Sequence, residues 1–181
     1  MSGKVHSVIG ISTTIALLLV FIFIFKSDFS LINSLLMILG SFIGSLIVDI
    51  DSSKSKSSQM FNKILHHTIW VLIILTVIEK FFGYNIKFNI EFNSWYLVAF
   101  GILTTLGKLS PHRQFTHKIF GTACFIFCAY KAFPISFFSG FTIGYALHIF
   151  ADKFTKARLK FLEFRLPCQN SRGKFDYHLK I

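Results

Sequence analysis

Residues 9–25 have the sequence IGISTTIALLLVFIFIF, and residues 29–48 have FSLINSLLMILGSFIGSLIV, two long runs without a charged side chain. A bilayer core requires about 20 predominantly apolar residues of helix, and both runs come close to this length. The first run could also be a secretory signal peptide. The sequence Phe25-Lys26-Ser27-Asp28 that ends it, however, offers no cleavage site of the small-x-small type. Both runs therefore predict retained membrane helices.

The composition of the whole chain agrees with these two runs. Its 181 residues are 53% hydrophobic and only 15% charged, with a mean hydropathy of +0.61. This is too apolar for an ordinary soluble domain, and the length leaves room for one compact bundle, which excludes a multi-domain soluble enzyme. The three cysteines lack metal-finger spacing and imply no disulfide framework.

Four weaker apolar segments complete the predicted fold. They are Thr68 to Phe82, Trp95 to Gly107, Ile119 to Phe133 and, after the break at Pro134, Ile135 to Ala151. The sequence thus predicts an all-α polytopic membrane bundle of about six transmembrane helices. One domain covers residues 1–167, ending in an amphipathic interfacial helix from Lys153 to Pro167, and a polar basic tail covers 168–181.

The formal charge of +11 would suggest nucleic-acid binding in a soluble protein. With six spans, however, the connecting segments alternate between the two sides of the membrane, and 15 of the 19 basic residues fall on one side. The exceptions are Lys26, Lys80, Lys87 and Lys131. Because Lys and Arg concentrate in cytoplasmic loops, both termini are predicted to be cytoplasmic. We expect a multi-pass protein of a bacterial-type inner membrane, with lipids and not nucleic acid as partners.

Histidines and aspartates gather at the predicted cytoplasmic ends of the spans. They are His6, Asp49, Asp51, His112, His117, His148 and Asp152. Imidazole and carboxylate groups of this kind bind Zn, Mn or Fe, and seven of them are enough for one or two ions. Within the last span Gly140, Gly144, His148 and Asp152 are four residues apart and form one stripe, and Gly40 and Gly44 give the second span a matching pair. The two carboxylate-bearing helices are therefore predicted to pack together.

The same residues lie in segments that resemble the YdjM-like family, inner-membrane proteins regarded as metal-dependent hydrolases. That family has an early His, a Pro-Asp-Ile-Asp-His segment, a His-Arg-Gly-x-Thr-His-Ser segment and a Gly-Tyr-x-Ser-His-x-x-x-Asp-x-x-Thr segment. The counterparts here are His6, residues 48–52 (VDIDS), residues 112–118 (HRQFTHK) and residues 144–155 (GYALHIFADKFT). They follow the same order from His6 to about Pro167 and cover most of the chain.

The family is in turn remotely similar to the all-helical zinc phospholipases C and P1-type nucleases, so the resemblance implies a phosphoester hydrolase. The substrate expected at the membrane face is a phospholipid or a lipid-linked phosphate. The seven His and Asp residues are the predicted metal ligands, with zinc favoured over Mn or Fe. Arg113 and Asp51 are the predicted catalytic residues, the first binding a phosphate oxygen and the second accepting a proton from water. Thr116 and Thr155 are expected to orient ligands.

Several positions depart from the family pattern. Ser52 replaces its His, Gln114 its Gly and Lys118 its last Ser, while Val48 and Leu147 replace a Pro and another Ser. His66 or His67 could substitute for the lost imidazole, although an interfacial anchor is the preferred interpretation of that pair. The departures leave a second interpretation open: a non-catalytic membrane protein with a degenerate site and a metal-binding, regulatory or structural role. A transporter ranks last, because the polar groups gather at one end and inverted repeats are not visible.

Overall fold

The structure, a computed structural model, describes residues 3–26, 29–51, 63–64, 66–71, 73–74, 77–78, 94–111, 113–154, 160–170 and 172–175. Five helices have defined bounds: α1 (Gly3–Phe23), α2 (Leu31–Ile47), α3 (Ser94–Leu109), α4 (Ile119–Ala132) and α5 (Ile135–Lys153). The described residues between 63 and 78 are also helical. Within the described part there is no strand beyond an isolated bridge between Gln169 and Phe175. The predicted all-α class is therefore confirmed.

Local chemistry explains where the helices begin and end. The Ser30 hydroxyl accepts a hydrogen bond from the backbone N–H of Asn33 at 3.2 Å and so caps α2. Pro134 lacks an N–H and disfavours a helical conformation in the residue before it, and Phe133 is accordingly extended, with φ −120° and ψ 158°. The predicted break between the last two helices at Pro134 is thus confirmed.

Helices α2 and α5 pack backbone to backbone through their glycines, as the spacing predicted. A methyl group added at Gly44 would overlap the carbonyl of Phe141, and one added at Gly144 would overlap the carbonyl of Ser41. Helix α1 joins the pair where Gly10 lies against Ser45. This close approach brings the end of α2, which leads to Asp49, beside the last turns of α5.

Aromatic rings fill the space between α5, α4 and α3. The side chains of Phe100, Phe125, Phe141 and Tyr145 are almost completely buried. The ring of Phe100 meets those of Phe125 and Phe141 edge to face, with centroids 5.7 and 5.6 Å apart. This core fixes α5 against α4, and with it the loop between α3 and α4.

Two expectations from the sequence are not supported. Among the helices as far as they are described, none is both long enough and apolar enough to cross a bilayer, so the six membrane spans gain no support here. The prediction of an interfacial helix up to Pro167 is wrong for the described part of that segment, because α5 stops at Lys153 and none of residues 160–167 is helical. The carbonyl of Lys160 accepts hydrogen bonds from the ammonium of Lys118 and from the backbone N–H of Glu163, and the carbonyl of Phe161 accepts one from the backbone N–H of Ile119.

Candidate metal centre

Three segments that are far apart in sequence meet at one end of the bundle. Asp49 follows the last turn of α2, and His117 lies in the loop between α3 and α4. His148 and Asp152 come from the last turns of α5, one helical turn apart. The glycine contact between α2 and α5 and the aromatic core under the loop hold these segments together.

Asp49, His117 and His148 form a compact triad of metal-binding groups. Oδ1 of Asp49 lies 3.3 Å from Nε2 of His117 and 3.6 Å from Nε2 of His148. One donor atom from each residue lies within 4.8 Å of the other two. Both imidazoles are almost completely buried. The three groups are therefore close enough to coordinate a single cation.

The backbone fixes the tautomer of His148. Its Nδ1 lies 2.5 Å from the carbonyl oxygen of Ser45 in α2. Because a carbonyl can only accept, Nδ1 carries the hydrogen and donates it. In the neutral ring the lone pair is then on Nε2, which faces Asp49. In metal-ligating histidines, one ring nitrogen typically donates its hydrogen to a backbone carbonyl, and this hydrogen bond orients the other nitrogen toward the metal.

Thr116 fixes the tautomer of His117 in the same way. Its hydroxyl donates to the carbonyl of Val48 at 2.7 Å and lies 3.1 Å from Nδ1 of His117. Since the single hydroxyl hydrogen is used on Val48, the hydroxyl accepts from Nδ1, and the Nε2 lone pair of the neutral ring faces the carboxylates. Thr116 thus orients a candidate ligand, as the sequence predicted for it.

Charge is concentrated around this point. Burial alone would lower the pKa of His117, but hydrogen bonds to Asp152 and Asp49 outweigh it and raise the pKa to about 9. Burial would raise the pKa of Asp49, but hydrogen bonds with His117 and His148 lower it well below its usual range. The pKa of Asp152 is likewise lowered, against burial, by His117. The carboxylates are therefore ionised and attract positive charge, either a proton on an imidazole or a cation.

Asp152 approaches the triad from the side of His117. Its Oδ2 lies 3.4 Å from Nε2 of His117 and 3.7 Å from Nη2 of Arg113. The carboxylate is buried, with 3% of its side chain exposed, while Arg113 is 32% exposed. Arg113 thus presents a guanidinium to solvent at the edge of the centre.

Asp51 acts on the backbone of the same loop. Its Oδ2 accepts a hydrogen bond of 2.7 Å from the backbone N–H of Arg113. Arg113 has a φ of 61°, in the left-handed region that costs a non-glycine residue conformational energy. The Asp51 carboxylate stabilises this turn, which points to a role for Asp51 in shaping the loop.

Tyr145 is a functional residue that the sequence analysis passed over. Its hydroxyl, completely buried, donates to the carbonyl of Thr116 at 2.5 Å and so ties the His117 loop to α5. One signal was present in the sequence: a tyrosine near His148 in a phenylalanine-rich helix carries a polar group that requires a partner when buried.

The other predicted site residues are placed as follows. His112 and Thr155 lie outside the described residues, as does the side chain of His6, whose backbone belongs to α1. His66 accepts a hydrogen bond from Trp70 at 2.9 Å, and Nδ1 of His67 lies 2.6 Å from the carbonyl of Lys63. These local contacts agree with the preferred interpretation of His66 and His67 as an anchor.

A helical bundle with a buried cluster of histidine and aspartate at one end defines the class: an all-α protein with a candidate metal centre. The chain belongs to the YdjM inner membrane protein family, whose model matches residues 1–177. This confirms the resemblance and agrees with an inner-membrane location. Comparisons with curated proteins and with solved structures each gave no match.

Proposed function

We propose that the protein is a metal-dependent hydrolase that cleaves a phosphoester at the cytoplasmic face of the inner membrane. One observation carries the proposal. Two buried imidazoles each have Nδ1 committed to a fixed acceptor, and both Nε2 atoms face the same Asp49 oxygen. In metal sites, hydrogen bonds from Nδ1 to fixed acceptors orient the histidine ring so that Nε2 can bind the ion.

The donor atoms fit a small divalent cation. Oδ1 of Asp49 lies 3.3 and 3.6 Å from the two Nε2 atoms of the triad, and all three donor atoms lie within 4.8 Å of one another. Tetrahedral ligands at about 2.1 Å from an ion are roughly 3.4 Å apart. Two nitrogens and one oxygen favour Zn, Mn or Fe over the oxygen-preferring Ca and Mg. Three protein ligands leave a coordination position open, which is the arrangement of catalytic rather than structural zinc.

The surrounding residues suit hydrolysis of a phosphoester. When bound, a divalent cation supplies Lewis acidity toward a phosphoryl oxygen. We assign Arg113 to the substrate, because its partly exposed guanidinium can bind two phosphoryl oxygens. Water forms a new bond to phosphorus as the ester P–O bond breaks. We assign Oδ2 of Asp152 to accept the proton that the water loses, and this proton leaves with the departing alcohol. Asp51, predicted as the base, would act through the backbone of Arg113.

We extend the proposal to a multi-pass arrangement with both termini in the cytoplasm. Many large apolar side chains of the helices are exposed, among them Phe23 at 75% and Leu31 at 78%. Such side chains are more favourably placed in lipid than in water. The basic residues of the connecting segments also favour this topology. The metal centre would then open beside the headgroups, which suits a phospholipid or a lipid-linked phosphate.

Metal content tests the centre directly. Elemental analysis of the detergent-purified protein is expected to find about one equivalent of Zn, Mn or Fe. The double variant His117→Ala/His148→Ala should lose it, because two of three ligands are gone. His67→Ala is the matched control and should keep it, since that ring is exposed and its Nδ1 bonds to the carbonyl of Lys63 in its own helical segment. Equal metal in all three proteins would contradict the assignment.

Turnover tests the reaction. The metal-loaded protein is expected to hydrolyse p-nitrophenyl phosphate, bis-p-nitrophenyl phosphate or a phospholipid, and a chelator should abolish the activity until metal is restored. Arg113→Gln should lower kcat/KM about 100-fold while leaving the bound metal in place, because it removes one charge-assisted contact with the phosphoryl group. Full metal occupancy without turnover on any of these substrates would favour the non-catalytic metal-binding alternative.

Reporter fusions test the membrane topology. Alkaline phosphatase fused after Asp28 or after Tyr84 should be active, because both positions fall on the predicted periplasmic side. Fusions after Ser52 should be inactive, since that segment is predicted to be cytoplasmic. Inactive fusions at Asp28 and Tyr84 would overturn the shared cytoplasmic face.

A further inference from the structure

Lys118 directly follows the candidate ligand His117 and is unusual for a lysine in being only 5% exposed. Its ammonium donates to the carbonyl of Lys160 at 2.7 Å and to Oε2 of Glu163 at 3.1 Å. A buried charge is costly unless it is paired and hydrogen-bonded, so these acceptors are what allow Lys118 to stay inside. The residue that flanks the metal centre is therefore held from the C-terminal part of the chain.

Further contacts join the same two segments. The backbone N–H of Ile119, at the start of α4, donates to the carbonyl of Phe161 at 3.0 Å. The rings of Phe120 and Phe164 lie 4.7 Å apart. Residues 160–170 thus bind the first turn of α4 through a backbone hydrogen bond, an aromatic contact and an ion pair between the buried Lys118 and the 36% exposed Glu163. We refer to residues 160–170 as the C-terminal strap.

The strap is itself held in shape around Glu163. Arg165 contacts Oε2 of Glu163 at 3.1 Å through Nη2, and its Nη1 donates to the carbonyl of Asn170 at 3.1 Å. Glu163 therefore contacts Arg165 within the strap and Lys118 beside the metal centre through the same oxygen, and Lys160 lies 3.7 Å from its other oxygen. Removing its charge would weaken both contacts and leave Lys118 without its counter-ion.

We propose that the C-terminal strap positions His117 for metal binding, with Glu163 as a positioning residue of the metal centre. The inference rests on the proposed function, since it concerns the same site. His117 is fixed on one side by Thr116 and on the other by Lys118, whose backbone is continuous with it. If Lys118 loses its counter-ion, its ammonium turns toward solvent and the peptide that carries the His117 ring moves with it.

Cobalt binding to the full-length protein tests the strap. Co²⁺ affinity is measured by competition with a chelator, and the visible spectrum of bound Co²⁺ reports ligand geometry. Glu163→Gln is expected to weaken Co²⁺ affinity about tenfold, which is the lower end of the loss seen when a group that orients a metal ligand is removed. It should also change the visible spectrum of the bound Co²⁺. Lys160→Gln is the matched control. Lys160 is 78% exposed and 3.7 Å from Glu163, and the substitution keeps the carbonyl that binds Lys118. It should leave affinity and spectrum unchanged.

Hydrogen exchange of the metal-free proteins separates the strap from the metal site. In Glu163→Gln, the amides of residues 114–119 should exchange faster than in the wild-type protein, while those of α2 stay the same. Unchanged exchange and unchanged Co²⁺ binding in Glu163→Gln would overturn the strap and leave the proposed function standing. Absence of Co²⁺ binding in the wild-type protein would overturn the proposed function and this inference with it.

Discussion

The imidazole of His148 takes its orientation from the carbonyl of Ser45, a residue 103 positions earlier in the chain. That carbonyl belongs to the last turn of α2, which ends at Ile47. The last carbonyls of a helix have no N–H donor further along the same helix and can accept from other groups. A helix end therefore supplies the acceptor that sets the tautomer of a candidate ligand. At this scale the site depends on single hydrogen bonds whose direction is fixed by chemistry.

Thr116 offers the sharpest test of these hydrogen bonds. Thr116→Val keeps the shape of the side chain but removes the hydroxyl that accepts from His117 and donates to Val48. We expect metal affinity to fall about 10- to 100-fold, because the ring loses the group that orients it. Chelator competition measures the change, and Thr116→Ser, which keeps the hydroxyl, should remain near the wild-type affinity. Equal affinity of the valine variant would show that the tautomer does not depend on Thr116.

Tyr145 makes a separate prediction about stability. Tyr145→Phe removes one buried hydroxyl and leaves the carbonyl of Thr116 without its hydrogen bond. The free energy of unfolding should fall by about 1 to 2 kcal/mol. Denaturant titration in detergent measures it, with Tyr130→Phe as control, because Tyr130 is 52% exposed. A loss in Tyr145→Phe no larger than in the control would contradict the proposed tie between the loop and α5.

At the scale of helices, the contact between α2 and α5 has no room for side chains at its glycines. Alanine normally stabilises a helix relative to glycine by about 1 kcal/mol. Here Gly44→Ala should instead destabilise the protein by about 3 kcal/mol, because the added methyl meets the backbone of Phe141 and cannot be relieved by a rotamer change.

Gly10→Ala provides a graded comparison for that prediction. A methyl at Gly10 would meet the side chain of Ser45 at 3.2 Å, a tight but adjustable contact. Its cost should therefore be clearly smaller than that of Gly44→Ala. Thermal unfolding in detergent, followed by circular dichroism, ranks the two variants. A stabilised Gly44→Ala protein would show that the two helices are not in backbone contact.

The whole molecule is expected to respond to acid through the C-terminal strap. Contacts with Lys118 and Arg165 lower the pKa of Glu163 to about 2. Because this pKa is depressed, the stabilisation is present above the ordinary glutamate pKa, near 4.5, and is lost as pH falls toward 2. The difference in unfolding free energy between wild type and Glu163→Gln should thus be constant from about pH 5 to 8 and shrink below that range. A difference that does not change with pH would exclude an ionic role for Glu163.

The sequence predicted those features that follow from local spacing. These features are the break at Pro134, the four-residue spacing of the glycines within α2 and within α5, and the placement of His148 and Asp152 one turn apart. Each depends on residues that are near neighbours in the chain. The left-handed turn at Arg113 and the hydrogen bond that Asp51 gives it could not be predicted, because they depend on where two remote segments meet. The strap is a further example. Residues 153–167 mix basic and apolar residues as an interfacial helix would. The hydrogen bonds that Lys160 and Glu163 accept from the buried Lys118 help explain why residues 160–167 are not helical.

The triad of Asp49, His117 and His148 draws one ligand from each of three distant segments of the chain. Biosynthesis delivers these segments one after another, and the third arrives only when α5, the last helix of the described bundle, has been made and has docked on α2. A chain that is still being synthesised therefore cannot bind a cation at the complete triad, whichever metals are present. If the proposed centre holds a metal, assembly of the bundle precedes metal binding, and the metal is selected by the finished bundle and by the ions available to it.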